Sequence, residues 1–310
     1  MNLLFTADHI ERLCHINNFI IKKDRMHFFG LRGCTPIDTD DLGFQKEHQL
    51  RLTQIDYTHP LCTIGQWLPQ EGRIAVFPAS TVPHIRYVKF SRERNGDGAN
   101  QLMTGYYKDY RKGIHKPGGP TAHPAFRQTE AHPIRRTADD FDFDNDDRVD
   151  FVNPYDNIHA AWNMGVNHDV YSSAGCQVIV GYPACAARPH LADIGPWKVF
   201  KENAYAIQQE SFPYILLNGL DAHRVDAQPG KKISVRLRYG SEGALALEVQ
   251  RALRDANAGR FYEGKLDGIF GDRMLRAVLE YQTAQFGPQA DDGVVGPVTA
   301  GALGITWQTV

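Results

Sequence analysis

Asp267-Gly268-Ile269-Phe270-Gly271 and Asp292-Gly293-Val294-Val295-Gly296-Pro297 are near copies of one another, set 25 residues apart. In each copy the Asp-Gly pair asks for a tight turn with positive φ, and the second glycine releases the chain before a helix. Pro297 stands where a helix tolerates proline best, at its first position. Working outward, Leu245, Val249 and Leu253 recur at four-residue spacing and predict a helix beginning near Glu242. Met274, Val278 and Tyr281 predict a second helix on the same grounds. Two copies of one turn–helix unit make residues 235–310 a small three-helix module. Residues 226–234 are short, polar and carry Pro229-Gly230, so they read as a linker.

This stretch resembles the peptidoglycan-binding domain family. Val249-Gln250 with Leu253, the first Asp-Gly turn, Ala277-Val278 with Tyr281-Gln282, and Asp292 through Thr299 follow that family's pattern in order. The resemblance implies weak binding to glycan or stem peptide, which raises local concentration at a polymer.

The rest of the chain is ordinary in bulk. It has 310 residues, enough for two domains. The formal net charge is −2 and no basic stripe is visible, which argues against a nucleic-acid partner. No run approaches the length of a membrane span. Asp8, Glu11 and Arg12 interrupt the N-terminal apolar run too early for a secretory signal. The expectation is synthesis in the cytoplasm without a signal peptide and action at the periplasm or cell wall. Five cysteines form no Cys-x-x-Cys pair, which excludes a zinc ribbon or a disulfide framework.

Chemistry concentrates between Val152 and Pro183. Cys176 follows Ser173-Ala174-Gly175, small residues that let the backbone turn and leave N–H groups for an oxyanion. Gln177-Val178-Ile179-Val180 is a β-prone run that anchors the cysteine. His159 lies 17 residues upstream in a similar apolar run, so two short strands joined by a polar loop bring imidazole and thiol together. Cysteine plus histidine is a minimal acyl-transfer pair, because the imidazole takes the thiol proton and later returns it to the leaving amine.

This stretch is similar to the active-site signature of L,D-transpeptidase-like (YkuD-type) domains. Ser173-Ala174-Gly175-Cys176 matches its Ser-x-Gly-Cys frame, and His159 matches its first histidine. The resemblance implies Cys176 as nucleophile, His159 as base, and Gly175 with the Cys176 N–H at the oxyanion, Ser173 completing the turn. Ala174 stands where the family has its second histidine, and no arginine follows the cysteine. The branch is therefore divergent, and His168 in the loop is a substitute imidazole. Upstream, Gly105-Tyr106-Tyr107, Lys112-Gly113-Ile114-His115 and Ala125-Phe126-Arg127-Gln128 resemble elements of that branch. They make Arg127, His115 and Tyr107 substrate-binding candidates beside His168 of the loop, with Arg127 and His115 gripping a carboxylate.

Other signals carry less. Asp142, Asp144 and Asp146 have calcium-loop spacing, but position six is not glycine and Asn153 occupies position twelve. No metal ligand and no cofactor is assigned. Cys185 reads as an inert thiol, and Thr6 as the N-cap of an opening helix. Short β-prone runs at Arg51 to Ile55, Arg73 to Phe77, Ile85 to Phe90, Gln177 to Val180 and Tyr214 to Leu217 predict a β-rich barrel or sandwich over 51–225. Trp197, Phe200 and Ala204 mark one helix in it, and residues 1–50 have no assigned role. The fold class is thus α+β, a β-rich catalytic domain followed by the helical module.

The function expected is a cysteine enzyme that cleaves stem-peptide amide bonds of peptidoglycan, in a phage-type lysin or an exported antibacterial effector. An immunity protein or export machinery would then be a further partner. The alternatives are an L,D-transpeptidase that cross-links stem peptides, and a wall-binding protein whose central domain is inactive. A metal-dependent peptidase lacks a motif.

Overall fold

The computed structural model describes residues 1–137, 143, 148–256 and 261–310. The calcium-like stretch 142–147 lies outside the described residues except for Phe143. A β-rich N-terminal region leads into a C-terminal helical region, which is the α+β class expected.

Eight strands close into a barrel in the order Ile158–Ala160, Gln177–Ile179, Arg73–Ser80, Cys62–Leu68, His27–Arg32, Ser211–Asn218, Gly105–His115 and His123–Gln128. Closure leaves no free edge. Two pairings are parallel: Ile158–Ala160 with Gln177–Ile179, and His27–Arg32 with Ser211–Asn218. The interior is aromatic. Phe28 stacks on Phe212 with ring centroids 4.5 Å apart, and Phe200 meets Phe77 edge-on at 5.3 Å. Phe200 comes from the helix Pro196–Tyr205, which buries Trp197, Phe200 and Ala204 as their spacing predicts.

The N-terminal fifty residues belong to this barrel domain. His27–Arg32 is one of its central strands, between Cys62–Leu68 and Ser211–Asn218. Asn2–Thr6, Glu47–Leu52 and Cys34–Pro36 form a small sheet beside it. Thr6 caps the helix Ala7–Ile16, its hydroxyl accepting from the His9 N–H at 3.2 Å. The boundary drawn at residue 51 is therefore too late. Two strand expectations also change. Arg51 and Leu52 end the strand Glu47–Leu52, and the chain from Thr53 to Asp56 is irregular. Ile85 to Phe90 is helical within Ile85–Glu93, because the His84 ring caps it by accepting from the Arg86 N–H at 3.1 Å. Only Val88 on that helix is buried, so the apolar alternation there reports no sheet face.

The segment 226–234 is no free tether. Ile233 is buried and exchanges backbone hydrogen bonds with Val310, at 2.7 and 2.9 Å. Beyond it, helices span Ala244–Asp255, Asp272–Phe286 and Pro297–Ala302. The two Asp-Gly turns are built alike. Gly268 and Gly293 each have φ +70°. Gln250 Nε2 donates to Asp267 Oδ1 (3.0 Å) and to the Ile269 carbonyl (3.0 Å), while its Oε1 accepts from the Gly268 N–H (2.9 Å). Gln282 repeats this with Asp292 Oδ1 (2.8 Å), the Val294 carbonyl (3.1 Å) and the Gly293 N–H (2.9 Å). Each glutamine thus clamps the turn that follows its helix.

Gln282→Leu keeps the bulk and removes every one of those bonds, leaving buried backbone groups of the second turn unpaired. The expected cost is about 2–4 kcal/mol of unfolding free energy, read by urea titration. A cost below about 0.5 kcal/mol, the level of an ordinary surface change, would mean that the turn holds without its clamp.

Candidate functional site

The parallel strands Ile158–Ala160 and Gln177–Ile179 set the site. Their register pairs Ile158 with Gln177 and His159 with Val178, so Cys176 lies one step before the pairing begins. Gln177 anchors the cysteine from behind. It is fully buried, accepts from the Tyr214 hydroxyl at 3.0 Å and donates to the Gly175 carbonyl at 3.1 Å. The Ser173 hydroxyl donates to the Cys176 carbonyl at 2.7 Å and accepts from the Gly175 N–H at 3.2 Å. Ser173 is therefore a positioning residue for the turn. Gly175 has φ +153°, and a Cβ there would lie 2.3 Å from Asn100 Cβ and 2.6 Å from Asp156 Oδ1. No other residue fits.

One expected role changes with this geometry. The Gly175 N–H is already committed to Ser173, so it does not line an oxyanion site. The Cys176 N–H has no carbonyl partner among the described residues and remains for that role.

His159, His115 and Cys176 converge. One ring nitrogen of each histidine and the Cys176 sulfur all lie within 4.8 Å of one another. His115 ends the strand Gly105–His115, and its ring stacks on that of His159 with centroids 4.0 Å apart. His123, opposite His115 in register, meets both rings at 5.3 Å. The sequence predicts His115 at a substrate carboxylate. Burial, helped by His123, holds its pKa down to about 3, so it is neutral and cannot act as a cationic grip. It belongs to one cluster with His159 and Cys176.

The proton positions follow from the hydrogen bonds. His159 Nδ1–H donates to the Ala160 carbonyl at 2.8 Å, which leaves Nε2 as a buried lone pair with no partner. The Asn157 amide nitrogen donates to His115 Nδ1 at 3.0 Å, while Asn157 Oδ1 accepts from the Gln128 N–H at 3.1 Å and so fixes the amide's orientation. Burial drives the His159 pKa well down, and the neighbouring His115 and His123 push the same way. Cys176 is half-buried, its thiol donating to the Tyr155 carbonyl at 3.6 Å. Burial and the Asp156 carboxylate raise its pKa. The pair is thus a neutral thiol beside neutral imidazoles.

Asp156 was missed in the sequence. It is 3% exposed, accepts from Asn100 Nδ2 at 3.2 Å and leaves Oδ2 unpartnered. Burial raises its pKa to about 6. Its backbone N–H donates to Gln128 Oε1 at 2.9 Å, so Gln128 braces both Asp156 and Asn157.

The remaining candidates separate. Arg127 is half-buried, lies 5.7 Å from the Tyr155 ring centre and has no carboxylate partner among the described residues. Its charge acts on His115, which places it at the edge of the cluster. His168 is exposed in its loop and is not among the converging groups. Tyr107 is buried against His132 and Tyr239, its hydroxyl donating to the Met103 carbonyl. At 1% exposed, Tyr107 packs in the interior and offers almost no surface to a substrate. Cys185 is half-buried, and all five cysteines are free.

Two imidazoles and a thiol are also a borderline-soft donor set of the kind zinc takes, at bond lengths of ~2.0–2.3 Å. The sequence predicts no metal ligand here, because it holds no His-Glu-x-x-His and its histidines show no metal-ligand spacing.

The family described as "Putative peptidoglycan binding domain" matches residues 242–303, the stretch that holds both clamped turns. The chain thus carries a peptidoglycan-binding domain at its C-terminal end, which supports peptidoglycan as a partner. No curated protein and no solved structure matches the chain. Among the described residues no helix is long and apolar enough to cross a membrane.

The buried histidines make a pH prediction. His115 titrates at about 3 in the native state and His132 at about 4, against ~6.5 when unfolded. Between those values the unfolded chain binds more protons, so their stabilisation is complete above pH ~6.5 and is lost as pH falls toward the native values. Asp156 has the opposite sign: its contribution is present below its unfolded pKa of ~3.9 and is lost as pH rises through about 6. Urea unfolding at several pH values from 7 to 5 should show stability falling with acid. His115→Gln should flatten that slope by up to ~1.4 kcal/mol per pH unit, one proton's worth. An unchanged slope would mean that His115 is protonated alike in both states.

Proposed function

We propose that this chain is a cysteine enzyme that breaks stem-peptide amide bonds of peptidoglycan through a thioester on Cys176, held at the wall by its C-terminal domain. The observation that carries this reading is the meeting of the Cys176 sulfur with the His159 and His115 nitrogens on a chain that also bears a peptidoglycan-binding domain. The L,D-transpeptidase-like frame Ser173-Ala174-Gly175-Cys176 supports it.

In the proposed reaction His159 Nε2 takes the thiol proton as sulfur attacks the amide carbonyl. Coupling the two steps suits a thiol whose pKa is raised, since no free thiolate has to be kept in a poorly solvated site. The Cys176 N–H stabilises the oxyanion. The imidazolium then protonates the departing amine, and the C–N bond breaks to leave the thioester. Water, deprotonated by the same imidazole, releases the carboxylic acid and restores the thiol. An incoming amine in place of water would give transpeptidation. Arg127 and Lys116 supply positive charge near His115, suited to an acidic stem peptide. A lysin or an exported antibacterial effector is the setting in which hydrolysis would serve. Ala174 was the argument for an inactive domain, and the His115 imidazole offsets that loss from another strand.

The donor set favours one second reading, a metal-dependent hydrolase holding its ion at His115, His159 and Cys176. Purified sacculi incubated with wild type or Cys176→Ala, with muropeptides read by mass spectrometry, test both. The expected result is water-derived cleavage products that fall at least about a thousandfold in Cys176→Ala and about 10²–10⁴-fold in His159→Ala. New cross-links would mean a transferase. Activity lost to a chelator but resistant to iodoacetamide would favour the metal reading, and equal products from both proteins would remove the central site from the reaction.

A further inference from the structure

Tyr155 holds a backbone that is unusual for its residue type. Its φ is +62°, in the left-handed region that glycine and asparagine enter at little cost and a bulky side chain does not. Local bonds fix it there. Its N–H donates to Asn153 Oδ1 at 3.0 Å, and its carbonyl accepts from the Asn157 N–H at 2.8 Å. The same carbonyl accepts from the Cys176 thiol at 3.6 Å, which ties the turn to the cysteine. Burial does not offset the strain, since Tyr155 is 56% exposed. Lys116 beside His115 (φ +49°) and Trp162 edge-on to His123 (φ +61°) are held likewise, so backbone strain gathers around this cluster. Strain that burial does not offset points to a side chain positioned for use.

Arg127 is the neighbour of that ring. Its guanidinium lies 5.7 Å from the Tyr155 ring centre, inside the ~6 Å reach of a cation–π contact. Its stem runs over Gly113, where a Cβ would lie 2.7 Å from Arg127 Cδ and 3.1 Å from Cγ, so a side chain there would displace the arm. Arg127 is half-buried and has no carboxylate partner among the described residues. Asp156, next to Tyr155 in the chain, is buried and accepts instead from Asn100 Nδ2 at 3.2 Å. An exposed ring bonded through its own carbonyl to the Cys176 thiol thus stands beside an uncommitted guanidinium.

We propose that Tyr155 and Arg127 form a subsite beside Cys176 for a free carboxylate carried on an aliphatic arm of the substrate. The guanidinium grips the carboxylate through parallel N–H···O bonds, and the ring covers the methylenes of the arm. The subsite rests on the reading of Cys176 as the nucleophile and adds to it a choice among stem peptides. A peptide whose side-chain carboxylate is free is taken over one in which it is amidated. A neutral amide turns an NH₂ group toward a guanidinium that is itself only a donor, so one of the two parallel bonds is lost.

N-acetylglutamate α-amide and N-acetylglutamine α-amide differ only in that carboxylate and are the probes, each in its D and L form. Both are titrated into full-chain Cys176→Ala and followed by ¹H–¹⁵N NMR. One form of the acid should bind at concentrations below about 10 mM and about tenfold more tightly than its amide. Adding Arg127→Gln should remove that preference. Adding Tyr155→Asn should weaken binding of the acid about fivefold or more. The urea midpoint of Tyr155→Asn should stay at or above that of the parent, because asparagine accepts the left-handed backbone, whereas loss of a tyrosine kept only for the fold would lower it. No binding of the acid, equal binding of acid and amide, an intact preference with Arg127→Gln, or full affinity with Tyr155→Asn would each overturn the subsite. Wild type that prefers the acid yet leaves purified sacculi uncut would overturn the reading of Cys176 and leave the subsite standing.

Discussion

Parallel pairing of two three-residue strands, Ile158–Ala160 and Gln177–Ile179, holds the candidate site in place. Neither strand would persist alone, because three residues bury too little and pair too weakly. Each is fixed by a longer antiparallel neighbour. Val178 and Ile179 pair with Ser80 and Ala79 of Arg73–Ser80, and Ile158 pairs with Phe126 of His123–Gln128. Barrel closure thus runs through the residues of the candidate site. Loosening the aromatic interior around Phe28, Phe126 and Phe212 would spread the thiol and the imidazoles apart.

The electrostatics follow from the same burial. A pocket that desolvates histidine lowers its pKa and one that desolvates a thiol raises it, so the two groups move away from an ion pair. Asp156 adds to this by placing a carboxylate beside the sulfur. The cluster is consequently built of neutral donors and lone pairs. Such an arrangement rewards whatever supplies charge at the moment it is needed, a carbonyl becoming an oxyanion or a cation drawing in the thiolate. The stacked rings of His115 and His159 sharpen the point, since protonating one disfavours protonating the other.

What the sequence revealed follows how local each signal is. The two Asp-Gly turns were readable because the turn, its glycine and the next helix sit within a few residues, and the structure adds only the glutamine clamps. His159 and Cys176 were readable because one short loop separates two β-prone runs. His115 joins from a strand that reaches the site only through barrel closure, and nothing near it in the chain announces a partner. Tyr107 stands beside a motif in the sequence, and its place is decided by packing against His132 and Tyr239, which no local signal shows. His27–Arg32 was invisible as a barrel strand since it is buried along its whole length and shows no alternation. Ile85 to Phe90 alternates for no structural reason, and a cap at His84 outweighs the pattern.

The join between the two regions bears on how wall binding can serve the site. An avidity effect needs only a tether, but this join is a packed one. Tyr239 pairs with Gly105 at the head of the strand that ends in His115, and the Arg276 guanidinium lies 3.9 Å from the Phe151 ring centre. Met103 of the barrel domain sits in the same apolar cluster as Leu237, Val249 and Val278. Ser241 donates to the Asn17 carbonyl at 2.6 Å, so even the N-terminal helix is tied in. A docked binding region fixes the direction from which a polymer meets the barrel as well as its local concentration. The strand Gly105–His115 then runs from the join at Tyr239 to the imidazole cluster, so one element links the binding region to the candidate site.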